Sequence, residues 1–276
     1  MIDYDRIRSF YDQHRSARED DPDFLRGTIE SSPGIARFRN RAESRHLSRV
    51  LKVEPGQRVL DLGAGTGRWS VYFAERGARV TAVELAPSLA RGAEKNAAQR
   101  GLAIDVRVGS ILNPPLTAED QFDVVHIGNV LVYIADADLA RVRDVVKTHC
   151  APCGMLVLRE PVNPHGPSEQ SEHDYHAIFR RPERYAELFA RDFRLLYQRT
   201  TVSHLVPRGH DTQSVVSGMR GGGGTWKKPL VEHVLPLVGY VDYALLELEE
   251  RLRAGALQGL LGDPGVIQHF YIFARR

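Results

Sequence analysis

The segment best equipped for chemistry is Val59-Leu-Asp-Leu-Gly-Ala-Gly-Thr-Gly67. Three glycines, Gly63, Gly65 and Gly67, recur at alternate positions directly after a short apolar run. Glycine accepts positive φ and lets a ligand approach the backbone closely. Glu84 closes the next apolar run, where a carboxylate can accept hydrogen bonds from ribose hydroxyls. A dinucleotide site would need GxGxxG facing a pyrophosphate. Here the third glycine comes one residue early, and Arg68 stands where that pattern reserves Gly or Ala. Asp61, two residues before the first glycine, would repel a pyrophosphate but attract the ammonium of an amino-acid moiety, directly or through water.

That chemistry favours S-adenosylmethionine over a dinucleotide. Together with Phe122-Asp-Val-Val125, these residues resemble the class I (Rossmann-like) S-adenosylmethionine-dependent methyltransferase family over about Arg37 to Leu158. The resemblance implies that Asp61, Gly63, Gly65 and Gly67 wrap the methionine part of the cofactor. It puts Glu84 on the ribose, Leu85 against the adenine face, and Ser110 and Ile111 near the adenine. Many relatives have Asp where Ser110 stands; a hydroxyl can still donate or accept. Main-chain carbonyls near Gly128 would receive the ammonium. Arg39 would pair with the cofactor carboxylate through its planar fork, the competing reading being a solvated helix arginine among Arg37 and Arg41. Tyr4, Phe10 and Tyr11 fall on an initial helix of the kind that closes over the cofactor in similar enzymes, Tyr11 being the cofactor contact; ordinary core packing is the alternative.

Methyl transfer needs an aligned nucleophile, exclusion of water and, for a hydroxyl, a base. His173 and His176 are the catalytic candidates, sharing a face if their segment is helical. Asn129 and Tyr133 follow the fourth strand, where they could touch the acceptor. No metal is expected. Cys150 and Cys153 read as small residues in a Pro-Gly turn, because no second pair completes a thiolate site.

The elements that must position these groups alternate short apolar runs with longer amphipathic ones, as βα units do. Strands are expected at Val59–Leu62, Val80–Val83, Ile104–Val108, Phe122–Ile127, Met155–Leu158, Phe193–Val202 and Val266–Ala274. Helices are expected from Gly67 to Arg76, from Pro87 towards Gly101, from Ala137 to His149 and from Arg181 to Arg191, with a polar loop over Pro161–Ser171. The fold class is α/β: a doubly wound, mostly parallel seven-stranded sheet with the last strand antiparallel. Residues 1–36 form an N-terminal helical lid. Residues 37–203 and 266–276 form the cofactor-binding core. Residues 204–265 are an insertion before the last strand, an acceptor-side cap or oligomerisation element with helical spacing at Val241, Leu245, Leu248 and Leu252.

The 276 residues carry 37 Lys plus Arg against 35 Asp plus Glu, too even a balance to point to nucleic acid. No apolar run is long enough for a membrane span, and the charged start lacks a signal-peptide core, so a cytoplasmic location is expected. The expected activity is methylation of an oxygen or nitrogen on a small molecule, such as a natural-product intermediate, with a homo-oligomer left open. The competing readings are a methyltransferase for protein, peptide or RNA, and a non-catalytic subunit of the same fold.

Overall fold

A computed structural model describes residues 2–14, 33–172, 175–200 and 267–276. Seven strands make one sheet: β1 (Arg58–Leu62), β2 (Arg79–Glu84), β3 (Ile104–Val108), β4 (Phe122–Gly128), β5 (Cys150–Val162), β8 (Phe193–Thr200) and β9 (Ile267–Arg275). Two more, β6 (Ser168–Glu172) and β7 (Tyr175–Phe179), pair only with each other. The sheet order is β3-β2-β1-β4-β5-β9-β8. It is parallel from β3 to β5, and β9 is antiparallel to both neighbours. This is the expected α/β sheet.

Alternation along each strand sends side chains to two cores. Leu60, Leu62, Val125, Ile127, Leu156, Leu158, Tyr271 and Phe273 face one side. There they meet Leu139, Val142 and Val146 of α5 (Leu139–His149) and Tyr185, Leu188 and Phe189 of α6 (Pro182–Phe189). Val59, Val124, Val157, Phe270 and Ile272 face the other. They meet Leu47 of α2 (Pro33–Val50) and Trp69, Tyr72 and Phe73 of α3 (Arg68–Ala74). The helix α4 (Pro87–Ala98) follows β2. Ahead of everything described, α1 (Tyr4–Ser9) runs into a π-helical turn, Phe10–His14.

Three local expectations are corrected. The polar stretch before His176 is a β-hairpin, with Ser171 opposite His176. The strand β5 is much longer than Met155–Leu158 and runs through Pro161. Because β4 ends opposite Arg159, Pro161 lies where β5 has lost a neighbour and no ladder N–H is missed on that side. Cys150 and Cys153 belong to the start of β5, as free thiols. The register jumps from Phe122–Cys150 to Val124–Met155, so the intervening residues form a bulge in which Cys153 has φ 63. Most of the lid expected over 1–36, the insertion over 204–265 and His173 lie outside the described residues.

Candidate active site

A cavity opens at the C-terminal ends of the central parallel strands. Order reverses there between β1 and β4, the crevice where open α/β sheets bind ligands. Its floor is the glycine turn. The N–H groups of Gly63 and Ala64 both donate to the Val83 carbonyl, at 2.7 and 3.1 Å. Gly65 N–H donates to Glu84 Oε2 at 2.8 Å, and Ala86 N–H donates to Oε1 at 2.9 Å. The carboxylate is therefore fixed into the turn, with lone pairs left on each oxygen. Burial pushes the Glu84 carboxyl up, against the lowering effect of the backbone N–H groups of Ala86, Gly65 and Leu85. Gly63 sits at φ 76, and a Cβ there would lie 2.2 Å from Val130 Cγ2. Only glycine keeps both the turn and the space above it.

Of the expected site residues, Tyr11, Gly63, Gly65, Glu84, Leu85, Ser110, Ile111 and Gly128 all line this cavity. Ser110 Oγ accepts the Leu112 N–H at 3.2 Å, which holds the loop after β3. Asp61, Gly67, Arg39 and His176 do not line it. Asp61 is buried between Ser70, whose Oγ donates to Oδ2 at 2.6 Å, and His126, whose Nδ1 hydrogen-bonds Oδ1 at 2.8 Å. Each oxygen accepts one of these hydrogen bonds inside the protein. Gly67 starts α3 at φ 84, and a Cβ there would meet Ala93 Cβ at 3.0 Å. Its role is close packing of α3 on α4.

Arg39 belongs to a charged cluster on the α2/α3 side. Glu43, fully buried, pairs with Arg159 at 2.5 Å and with Arg68 at 2.6 Å. Burial raises the Glu43 carboxyl, but Arg159, Arg68 and Arg39 overcome this and hold it at about 2. His176 faces Glu169 across the hairpin, Nε2 to Oε2 at 3.1 Å. His176 lies on β7 and not on a helix, and His173 lies outside the described residues.

Several lining residues were not singled out from the sequence. Ile7 and Arg8 on α1 cover the cavity beside Tyr4, and Val130 and Ile134 form a wall after β4. The N-terminal segment is docked by polar contacts. Tyr4 Oη donates to Asp138 at 2.5 Å and accepts the Ala135 N–H at 3.2 Å. Tyr11 Oη donates to Tyr133 Oη at 2.7 Å. Asn129 stands at φ 61, and its buried Oδ1 has no hydrogen-bond partner among the described residues. Asn is among the non-glycine residues that adopt the left-handed region most readily, and here it stands at the rim of the cavity.

No helix among the described residues is long and apolar enough to cross a membrane, and these residues contain no group of three or more metal-ligating side chains. The family model for a methyltransferase domain matches residues 59–154. A ubiquinone biosynthesis O-methyltransferase from Xanthomonas axonopodis pv. citri is 37% identical over 86 residues, which are 31% of this chain and 36% of that protein. The chain thus spans about a third of the length of such curated relatives. Among solved structures, coclaurine N-methyltransferase bound to N-methylheliamine and SAH is similar at TM-score 0.57 and 16% identity, over 86% of this chain and 72% of that one. The 4+2-cyclase SpnF is similar at TM-score 0.57 and 17% identity, over 94% of this chain and 85% of that one. These two likenesses concern the fold, which hosts more than one reaction.

Proposed function

Because residues 59–154 match the family model for a methyltransferase domain, we propose that the chain is a class I S-adenosylmethionine-dependent enzyme that methylates an oxygen or nitrogen of a small molecule held beneath its N-terminal segment. The observation that supports this most is the cavity itself. It joins a left-handed glycine turn, a turn-fixed Glu84 carboxylate and the buried, unpartnered Asn129 Oδ1 in one concave site whose lining is mostly apolar with a few convergent polar groups. These residues fit S-adenosylmethionine. Glu84 would take the ribose, Leu85, Ser110 and Ile111 the adenine, and Gly63, Gly65 and Gly128 the amino-acid end. When bound, the cofactor supplies a methyl group on a sulfonium, whose departure leaves a neutral thioether.

The chain's own contribution is alignment and exclusion of water. Tyr4, Ile7, Tyr11, Val130, Tyr133 and Ile134 make an aromatic and apolar cover over the acceptor half. Such a lining suits a compact acceptor with an apolar body. The Tyr11–Tyr133 hydroxyl pair belongs to this lining and is a polar element through which a proton would pass. Of the two acceptor atoms, oxygen is supported by the name of the Xanthomonas relative. The segment 204–265 remains our acceptor-side or oligomerisation element. Incubation with methyl-labelled S-adenosylmethionine, followed by separation of small-molecule from macromolecular fractions of a cell extract, tests this. Label in the small-molecule fraction is expected; label only in protein or RNA would overturn it.

A further inference from the structure

Residues 129–136, between β4 and α5, line the cavity through Asn129, Val130, Tyr133 and Ile134. Their backbone is held from two sides by groups remote in sequence. Asn129 N–H donates to the Arg159 carbonyl at 2.8 Å. Val130 and Leu131 N–H both donate to Glu160 Oε1, at 2.9 and 3.1 Å. From the other side Arg180 donates to the carbonyls of Leu131 and Ile134, at 2.7 and 2.6 Å, and its Nε donates to Asp136 Oδ1 at 2.8 Å. Neighbours on β5 thus diverge. Arg159 points to Glu43 on the α2/α3 face, while Glu160 points to the loop on the α5/α6 face.

Glu160 is fully buried and Arg180 is 3% exposed. Two buried charges are a costly way to satisfy four peptide groups. Glu160 Oε2 has no hydrogen-bond partner among the described residues, so the carboxylate does not complete a network there. What the arrangement does produce is a rigid wall. It holds Asn129 left-handed and fixes Tyr133, through which the N-terminal segment docks by Tyr11.

We propose that Glu160 and Arg180 are positioning residues that clamp loop 129–136 in the shape that receives the ligand, with Asn129 and Tyr133 as the groups so presented. The functional part of this rests on the cofactor site proposed above. The clamp also responds to pH. Glu160 is surrounded by Arg159 beside it, Arg180 with its partner Asp136, Tyr185 on α6, and Tyr271 and His269 on β9. Burial pushes its carboxyl up to about 7, opposed by the N–H groups of Val130 and Leu131 and by the two arginines. Below that pH the carboxyl takes a proton, and its charge-assisted hold on the two N–H groups weakens.

The test is calorimetric titration of the full chain with S-adenosylhomocysteine from pH 6 to 8.5, beside amide hydrogen exchange of segment 129–136 without ligand. Wild type is expected to bind more tightly as pH rises through about 7. Glu160→Gln, which keeps an acceptor oxygen, should bind within about threefold of wild type at pH 7 and lose that pH dependence. Glu160→Leu and Arg180→Met should bind at least about tenfold more weakly and exchange the loop amides faster. Unchanged exchange in both Glu160→Leu and Arg180→Met, or a wild-type pH profile in Glu160→Gln, overturns the clamp. Faster exchange in a chain whose wild type does not bind S-adenosylhomocysteine would support the clamp and sink the cofactor site instead.

Discussion

The Asp12 carboxylate accepts a hydrogen bond from the Ser88 N–H at 2.8 Å, so the N-terminal segment caps the helix that follows Glu84. The N-cap residue of α4, Ala86, offers no side-chain cap of its own, and Ser88 lies in the first turn. Ser88 Oγ returns the contact by donating to the Asp12 carbonyl at 3.2 Å. Cover and floor of the cavity are joined at this point.

Asp12→Ala should loosen the segment by about 1 kcal/mol, the usual worth of an N-cap, while Asp12→Asn should retain most of it. Hydrogen exchange over residues 4–14 reads this directly. The Ser88 N–H holds the Asp12 carboxyl below its usual range. Its contribution is therefore present above about pH 4, the unfolded value, and is lost as pH falls further.

Gly63→Ala should abolish tight binding of S-adenosylhomocysteine. Two penalties act, a positive φ and a Cβ 2.2 Å from Val130 Cγ2. Val130→Ala in the same chain removes the second but not the first, so the double variant should recover part of the affinity. Full recovery would mean that backbone conformation is irrelevant there.

Two buried carboxylates should give opposite pH signatures in thermal unfolding. Glu160 is raised to about 7, so its ionisation opposes folding. The stability it lends is full below about pH 4.3, its unfolded value, and is lost as pH rises through about 7. Glu160→Gln should then raise Tm at pH 8.5, by the equivalent of about 2–4 kcal/mol, and do little at pH 5. Glu43 is depressed to about 2, and its contribution is present above about pH 4.3 and fades as pH falls towards 2. Glu43→Gln should cost about 3–5 kcal/mol at pH 7 by stranding Arg159 and Arg68, with a smaller difference in acid.

Asp61→Leu should destabilise the fold by about 1–3 kcal/mol for each partner it orphans, Ser70 and His126. Its effect on ligand affinity should be smaller than that of Glu84→Ala. A larger effect would return Asp61 to the ligand.

The contrast between Asp61 and Glu84 marks what the sequence made legible. Both are carboxylates at strand ends beside the glycine turn. Local spacing was enough to bring Glu84 to the cavity, because its partners, Gly65 and Ala86, are close in sequence. Asp61 depends on the register of β1 against β4, which sets it opposite His126 and is invisible before the sheet is assembled. The packing of Gly67 was hidden for the same reason, since Ala93 lies on another helix. The central strands were readable from their continuous apolar runs. The hairpin of β6 and β7 was not, because Ser168-Glu-Gln-Ser-Glu172 is polar throughout and pairs outside the main sheet. Glu160 and Arg180 gave no local signal, because the loop they hold is distant from both along the chain.

The central claim is that the cavity above the glycine turn binds S-adenosylmethionine with Glu84 as its fixed carboxylate. Calorimetric titration of the full chain with S-adenosylhomocysteine, wild type beside Glu84→Ala, tests it most directly. One site per chain is predicted, weakened at least about tenfold in the variant by loss of hydrogen bonds to a charged group. No binding by the wild type, or equal binding by both proteins, would contradict it.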